Sequence, residues 1–180
     1  MKEVKRINVI GTSGSGKSTV ARRISCRLDI PHIEMDQIFW SKNWTMSSDE
    51  NFENSLKEKL SKDSWVLDGN YSKTAPTKWK DVQMVIWVDL PFLITLYQAV
   101  MRSLRRVVIG QELWEGTECY ESFRRSFLSR ESVIWWTITT YKKVRSRYEQ
   151  IMNDNTYSHI KFVRLTSRRE IDLFIKGFEK

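Results

Sequence analysis

Hydrophobic residues along this chain occur in short β-branched runs that alternate with longer segments of helical spacing. Five apolar runs predict strands at residues 6–10, 32–35, 65–67, 84–88 and 160–165. Between and after them, apolar residues recur every three or four positions, which predicts helices at 17–28, 48–61, 92–107, about 120–152 and beyond 168. Strands that alternate with helices indicate a mostly parallel sheet with helices on both faces. We therefore expect an α/β fold with a five-stranded sheet.

One stretch, residues 82–101, is apolar enough to suggest a membrane segment. Asp89 and Pro91 lie near its middle, where a charge is costly in lipid, so we expect a strand, a turn and a soluble helix instead. The N-terminus lacks the apolar region of a signal peptide. Cys26 and Cys119 show no metal-ligand spacing. These features favour a single domain over residues 1–180 in the cytoplasm, without membrane contact.

The turn after the first strand carries the most informative pattern of the chain. Residues 11–19 read GTSGSGKST and match the phosphate-binding pattern of a glycine, four residues, a glycine, a lysine, and Ser or Thr. Glycines let successive backbone N–H groups point into one anion-sized hollow. A serine-rich turn without a ligand is the alternative, but the order strand, glycine loop, helix favours a phosphate site. The predicted ATP-binding residues are Gly11, Thr12, Ser13, Gly14, Ser15, Gly16, Lys17, Ser18 and Thr19.

Within this loop, two side chains have separate predicted roles. Lys17 would reach the outer phosphates of ATP, and the hydroxyl of Ser18 would bind Mg²⁺. Asp68, at the end of the third strand, is the acid that we expect to orient the metal, directly or through water. A strand-end Asp that turns the chain or caps the next helix is the alternative for Asp68. For Asp89, we favour a helix cap before Pro91 over a metal role.

Asp36 ends the second strand and is the candidate on the side of the phosphate acceptor. Its carboxylate could accept the proton of a substrate hydroxyl, while Phe39 and Trp40 wall a flat or apolar molecule. A capping aspartate with core aromatic neighbours is an equally open interpretation. In open α/β sheets, ligands bind outside the carboxyl ends of the strands, so Asp36 and Asp68 are expected near the glycine loop.

Basic residues concentrate in the second half of the chain. Residues 1–90 carry 14 Lys and Arg against 12 Asp and Glu, whereas residues 91–180 carry 16 against 10. Six arginines flank a glycine-marked loop and could form a lid, at about 102–130, that closes on phosphates. They are Arg102, Arg105, Arg106, Arg124, Arg125 and Arg130. A solvated helix face is the alternative for each of them.

The region 102–147 also mixes aromatic with basic residues, which suits nucleic acid. A nucleotide-dependent regulator that binds DNA or RNA is therefore a second hypothesis beside a small-molecule kinase. Its candidate contacts are Arg124, Arg125, Trp135, Trp136, Tyr141, Lys142, Lys143, Arg145 and Arg147. A helix packed on a core with basic side chains outward would show the same pattern.

The segments GTSGSGKST, MDQIFW, LDGNY and VIWVDLP, followed by a basic helix, resemble the P-loop kinases of the adenylate kinase group. The branch named topology modulation protein is the most similar, and the resemblance covers most of the chain. It implies a three-layer P-loop NTPase fold with a helical lid, and ATP and Mg²⁺ as cofactors. It also implies transfer of the ATP γ-phosphate to a small nucleotide, nucleoside or other hydroxyl acceptor.

The resemblance also assigns residues. Asp68 would place the metal, Asp36 would face the acceptor, and catalytic lid positions would fall among Arg102, Arg105 and Arg106, beside Lys17. The turn 166–168, with Arg168, would lie beside the adenine. Residues 37–61 contain no arginine, whereas adenylate kinases have acceptor-binding arginines there. Adenosine monophosphate is therefore a doubtful acceptor.

Overall fold

The structure is a computed structural model that describes residues 4–178 except 111, 115, 128, 130 and 131; the side chain of Arg125 is also outside the description. The strands are β1 (Arg6–Gly11), β2 (His32–Glu34), β3 (Trp40–Ser41), β4 (Thr45–Met46), β5 (Trp65–Asp68), β6 (Met84–Val88) and β7 (Lys161–Leu165). The helices are α1 (Lys17–Leu28), α2 (Met35–Phe39), α3 (Asp49–Leu60), α4 (Ala75–Lys78), α5 (Phe92–Ile109), α6 (Phe123–Phe127), α7 (Val133–Met152) and α8 (Arg168–Lys176).

Five strands form one parallel sheet in the order β2, β5, β1, β6, β7. The central strand β1 pairs with β5 and β6, so that Ile7 lies opposite Val66 and Met84. Because every pair is parallel, the carboxyl ends of the strands lie at one edge of the sheet. The prediction of a five-stranded parallel sheet is confirmed.

The sheet is covered on both faces, which gives three layers. On one face, Ile7 and Val9 belong to a core that includes Ile24 of α1 and Ile171 of α8. On the other face, Ile10 belongs to a core that includes Leu56 of α3, together with residues of α7. β1 and β6 are almost fully buried because helices lie above and below them. No helix among the described residues is long and apolar enough to cross a membrane.

The buried face of α5 differs from its apolar pattern. The sequence favours Phe92, Leu96, Val100, Leu104 and Val107 as the inner face, but the fully buried residues are Thr95, Ala99 and Ser103. The reason is close approach to the glycine loop. A Cβ at Gly14 would lie 2.7 Å from the Thr95 carbonyl oxygen and 2.8 Å from the Ala99 Cβ. Only small side chains fit such a contact, so the larger apolar ones are displaced outward.

One further expectation needs correction, and one element was not predicted. The predicted helix at 120–152 is two helices, α6 and α7, because the Ser132 hydroxyl accepts a hydrogen bond from the Trp135 N–H (3.0 Å) and begins α7 there. The stretch before α3 contains a short antiparallel hairpin of β3 and β4, with Trp40 opposite Met46. Within its turn, Asn43 and Trp44 have positive φ values of 56° and 62°.

Candidate functional site

The glycine loop joins the buried end of β1 to the first residue of α1. Gly11, Gly14 and Gly16 have φ values of 156°, 85° and 90°, a region that residues with a Cβ rarely adopt. The Ser15 N–H donates to the Thr12 carbonyl (3.0 Å), which closes the turn. α1 begins at Lys17, so its free N–H groups and positive dipole end face the loop. This is the geometry of an anion site.

Asn70 fixes the start of the loop. Its Oδ1 accepts from the Gly11 N–H (3.0 Å), and its Nδ2 donates to the Gly11 carbonyl (2.7 Å). The Tyr148 hydroxyl donates to the same Oδ1 (3.1 Å), and Lys78 Nζ donates to the Asn70 carbonyl. One side chain after β5 thus satisfies both backbone groups of a buried glycine in β1.

Two cavities open beside the loop. The loop cavity, about 460 Å³, is lined by residues 14–20 and by Leu90, Gln98, Arg168 and Ile171 among others. The tryptophan cavity, about 730 Å³, is lined by Trp40, Trp44, Trp114 and Trp136 among others. Five residues line both: Lys17, Ser18, Arg22, Arg102 and Arg106. A group held by these five is accessible from both cavities, as a transferred phosphoryl group must be.

Asp68 lies at the end of β5, 5 % exposed. Burial raises the pKa of its carboxyl, while the nearby Lys17 and a hydrogen bond with Ser18 act in the opposite direction. Its Oδ1 is buried and has no hydrogen-bond partner among the described residues. An acid and a hydroxyl in contact beside a phosphate-binding loop are oxygen ligands of the kind that Mg²⁺ prefers. The residues present therefore fit the predicted metal site.

Asp36 lies in α2 and lines the tryptophan cavity. The Tyr71 hydroxyl donates to Asp36 Oδ1 (2.8 Å), and burial together with Asp36 raises the pKa of Tyr71, so the phenol stays protonated. No side-chain capping bond forms at the start of α2. The Asp36 carboxylate is therefore oriented by Tyr71 on the cavity wall, and the capping interpretation does not apply.

The three predicted arginines of α5 differ in position. Arg102 donates to Ser13 Oγ (3.3 Å), and burial, with the nearby Arg106, lowers the pKa of its guanidinium. Arg106 pairs with the buried Glu121 (2.8 Å), whose other oxygen accepts from Ser126 Oγ (3.2 Å). Arg105 is exposed and lines neither cavity. Arg124 is exposed, and Arg130 lies outside the described residues.

Arg168, predicted beside the adenine, lines the loop cavity at the start of α8. With the amide of Gln98 oriented by its neighbours, Nε2 donates to the Gly14 carbonyl (2.7 Å) and Oε1 accepts from Arg168 (3.0 Å). Gln98 therefore links the cavity wall to the loop.

Asp89 does not cap α5, which corrects our interpretation of that residue. α5 begins at Phe92 without a side-chain capping bond. The Asp89 carboxylate instead accepts two hydrogen bonds from Arg164, through Nε (2.8 Å) and Nη2 (2.5 Å). The Asp89 carboxylate binds the positive charge of Arg164 on the neighbouring strand β7. The capping position of α5 is occupied by Pro91.

The wall of the tryptophan cavity is built by two connections that hold each other. The turn of the β3–β4 hairpin contacts residues 117–120: the Asn43 N–H donates to the Thr117 carbonyl (2.8 Å), and Trp44 Nε1 donates to the Tyr120 carbonyl (3.2 Å). Trp44 packs edge-to-face against Trp40 (ring centroids 5.4 Å apart) and Trp114 (6.1 Å). Trp136 of α7 adds a fourth indole.

Several residues of the site were not among the predicted ones. Gln98, Trp114 and Glu121 belong to no motif, and Trp136 is a candidate only in the nucleic-acid hypothesis. Asn70 and Tyr71 belong to LDGNY, a signal we used only for the resemblance. Polar residues directly after a buried strand, such as these two, are the sequence feature that could have identified them.

Some residues of the nucleic-acid hypothesis have partners inside the fold. Tyr141 is buried and donates to the Leu90 carbonyl (2.9 Å), and Arg145 lies 3.6 Å from Asp89 and 3.4 Å from Glu149. Lys142 and Lys143 are exposed. The hypothesis stays a prediction.

Comparison with solved structures places this fold beside a kinase. Shikimate kinase from Acinetobacter baumannii, in complex with shikimate, superposes with a TM-score of 0.56 at 17% identity, over 97% of this chain and 91% of that one. At this identity the likeness concerns the fold alone, which is the predicted three-layer P-loop NTPase fold.

Two curated relatives are similar in sequence. The uncharacterized protein YqaC of Bacillus subtilis (strain 168) is 27% identical over 131 residues, 72% of either chain. Threonine synthase-like 1 of Pongo abelii is 24% identical over 141 residues, 70% of this chain but 19% of that protein. The family described as AAA domain matches residues 7–98, just over half of the 180 residues, from β1 through the glycine loop to the first half of α5. The chain therefore belongs to the AAA domain family.

Proposed function

We propose that this protein is an ATP-dependent kinase that transfers the γ-phosphate of ATP to a hydroxyl group of a small molecule. The observation that carries the proposal is the pair of cavities that share Lys17, Ser18, Arg22, Arg102 and Arg106. A nucleotide binder without an acceptor needs only the first cavity. Two cavities that meet at the cations of a phosphate loop suit transfer between two bound molecules.

In this proposal ATP occupies the loop cavity, with its phosphates on the N–H groups of Gly14 and residues 16–19 and its base toward Arg168. The N–H groups of Gly11 and Ser15 are already bonded within the fold. Lys17 and Arg102 balance the charge that spreads over the transferred group. Ser18 and Asp68 would hold Mg²⁺, which neutralises phosphate charge when bound. The adenylate-kinase-related branch remains the resemblance that motivates ATP as donor. The whole chain is proposed to act as one cytoplasmic domain.

The acceptor occupies the tryptophan cavity. Its hydroxyl oxygen forms a bond to the γ-phosphorus, the bond from phosphorus to the bridging oxygen breaks, and that electron pair leaves with ADP. The hydroxyl proton passes to the carboxylate of Asp36, which Tyr71 holds in place. Glu121 positions Arg106 at the junction of the cavities.

The test is ADP release in the presence of ATP, Mg²⁺ and a panel of nucleosides, nucleoside monophosphates and small alcohols, with separate measurement of ATP binding. We expect ADP release to depend on an acceptor and Asp36→Asn to lower it about 100-fold or more while ATP affinity stays within a few-fold. Tyr71→Phe should have a smaller effect in the same direction. Full turnover by Asp36→Asn would contradict the role of Asp36 as the base. ADP release that never responds to an acceptor would contradict the proposed kinase function.

A further inference from the structure

Positive and negative side chains occupy different parts of the tryptophan cavity, and this distribution indicates which acceptors it can bind. Each of its described cations, Lys17, Arg22, Arg102 and Arg106, also lines the loop cavity. The part that belongs to the tryptophan cavity alone contains no described Lys or Arg. It holds three carboxylates instead, from Glu34, Asp36 and Glu121.

The cations at the junction already have partners. Arg106 is paired with Glu121 (2.8 Å), and Arg22 lies 3.7 Å from Glu34. Lys17 and Arg102 lie beside the glycine loop, where the phosphates of the donor would take up their charge. An acceptor that carried its own phosphate or carboxylate would therefore find acids and indoles in the outer part of the cavity. A partly buried anion without a cation is strongly disfavoured.

The outer wall is instead suited to a flat ring. Trp40, Trp44 and Trp114 form a continuous edge-to-face series, and Trp136 lines the cavity from α7. Indole faces stack on planar rings and on cations, and repel anions. Trp114 Nε1 is directed to Glu34 Oε2 (3.4 Å), so this indole N–H is turned toward an acid of the wall. A volume of about 730 Å³ is sufficient for a molecule of nucleoside size.

We infer that the acceptor is a hydroxyl compound with a flat ring and no anionic group, neutral or cationic, of about the size of a nucleoside. This inference rests on the proposed kinase function and narrows it, because it excludes nucleoside monophosphates and carboxylated alcohols as acceptors. The hydroxyl is presented to Asp36, and the ring lies against the indoles. The chemistry of the transfer is otherwise as described above.

The experiment compares acceptors in pairs in which an anionic group replaces the primary hydroxyl while at least one other hydroxyl remains: adenosine with AMP, thymidine with thymidine monophosphate, and phenylethanediol with mandelate. ADP release gives kcat/KM for each, and quenching of tryptophan fluorescence gives binding. We expect the uncharged member of a pair to exceed its anionic partner at least tenfold in kcat/KM or in affinity. Preference for the anionic member would overturn the inference and leave the kinase standing. Absence of both turnover and binding for every pair, with ATP bound normally, would overturn both.

Two variant pairs sharpen the result. Gln37 is exposed on the wall of the tryptophan cavity, so Gln37→Arg adds a cation to this wall, with Gln37→Leu as its control. We expect Gln37→Arg to reduce the discrimination about tenfold and Gln37→Leu to retain it.

Trp136→Ala removes an indole that lines the cavity, and Trp135→Ala removes its neighbour, which is similarly exposed but lines neither cavity. The first should raise the acceptor KM about tenfold, as expected for one lost stacking contact, without changing the KM for ATP. Equal effects of the two variants would count against stacking on Trp136.

Discussion

Asn70 binds both backbone polar groups of Gly11, so the residue that follows β5 by two positions fixes the first residue of the glycine loop. Gly11 is buried, and a Cβ there would lie 2.6 Å from the Val88 carbonyl oxygen. The polar groups of this buried backbone segment therefore depend on partners from elsewhere in the fold. The shape of the loop depends on a side chain 59 residues away in sequence.

The change Asn70→Ala would leave the N–H and the carbonyl of Gly11 without these partners. Because a buried unpaired backbone group costs about 1 to 3 kcal/mol, we expect the free energy of unfolding to fall by about 3 kcal/mol and ATP binding to weaken. Urea unfolding and ATP titration measure the two effects. Asn51→Ala, at an exposed position of α3, is the matched control and should change neither. Unchanged ATP affinity in a folded Asn70→Ala protein would show that the loop keeps its shape without the clamp.

We expect Asp68 to lower the stability of the fold at neutral pH and to support metal binding. Burial raises the pKa of this carboxyl, so the folded state keeps the proton to a higher pH than the unfolded chain does. The stability that the protonated Asp68 contributes at low pH is therefore lost as pH rises through the pKa of the folded state. At neutral pH, Asp68→Asn should therefore unfold at a higher temperature than the wild type in the presence of EDTA.

The same variant should lose about tenfold or more of the effect of Mg²⁺ on ATP binding, because a ligand or its outer-shell partner is removed. Thermal unfolding with EDTA and ATP titrations with and without Mg²⁺ check the two parts. A variant that is less stable than the wild type yet binds Mg²⁺ with ATP normally would place the metal elsewhere.

Arg106 and Arg105 are adjacent in sequence but face different surroundings. Arg106 lines both cavities and is held by Glu121, whereas Arg105 is exposed. We expect Arg106→Glu to lower kcat about 100-fold or more, because it removes a donor at the transferred group, with a much smaller loss of ATP affinity. Arg105→Glu is the comparison. A larger loss of kcat in Arg105→Glu than in Arg106→Glu would assign the predicted lid role to Arg105. Equal losses of kcat and ATP affinity in Arg106→Glu would argue against closure over the phosphates.

Lys78 gives the fold a distinctive dependence on pH. It is 1 % exposed, and burial lowers its pKa to about 7. Between about pH 7 and 10 the unfolded chain keeps this proton while the folded state has lost it, so the destabilisation present below pH 7 is relieved as pH rises.

We expect the wild type to gain up to about 1.4 kcal/mol of unfolding free energy per pH unit in that window relative to Lys78→Met. Urea unfolding at several pH values measures the difference. Lys80→Met, at an exposed position, should follow the wild type. Parallel pH curves for the wild type and Lys78→Met would show that Lys78 remains charged in the folded protein.

Local chemistry explains which parts of the site the sequence could predict. The glycines of GTSGSGKST permit the turns of its loop, and Asp36 and Asp68 lie at the ends of strands that meet at one edge because the sheet is parallel. The sequence predicts Arg102, Arg105 and Arg106 together, because a basic cluster does not show which side of the helix faces the site. The orientation of the helix is set by Ala99, which packs against Gly14. A pattern of apolar residues does not predict this contact.

Contacts between distant segments explain the remainder. The pair of Arg106 and Glu121, and the clamp of Asn70 on Gly11, join residues whose relation depends on the packed fold. Trp40 is predicted near a substrate, but Trp44 belongs to a hairpin that is not predicted, and Trp114 lies in a connection without a motif. Trp136 lies in α7, where the pattern of basic and aromatic residues indicates nucleic acid instead. The hairpin β3–β4 was missed because its strands are two residues long and have no alternating pattern to detect.

The mutual contact of the β3–β4 hairpin and residues 117–120 has a consequence for how this protein can diversify. The two connections bind each other through Asn43 and Thr117, and neither belongs to the five-stranded sheet. The hairpin lines the tryptophan cavity, whereas the glycine loop and the start of α1 line the loop cavity. Under the proposed function, we expect a graft of these two connections from another chain to change the acceptor specificity and to leave the phosphate donor site unchanged.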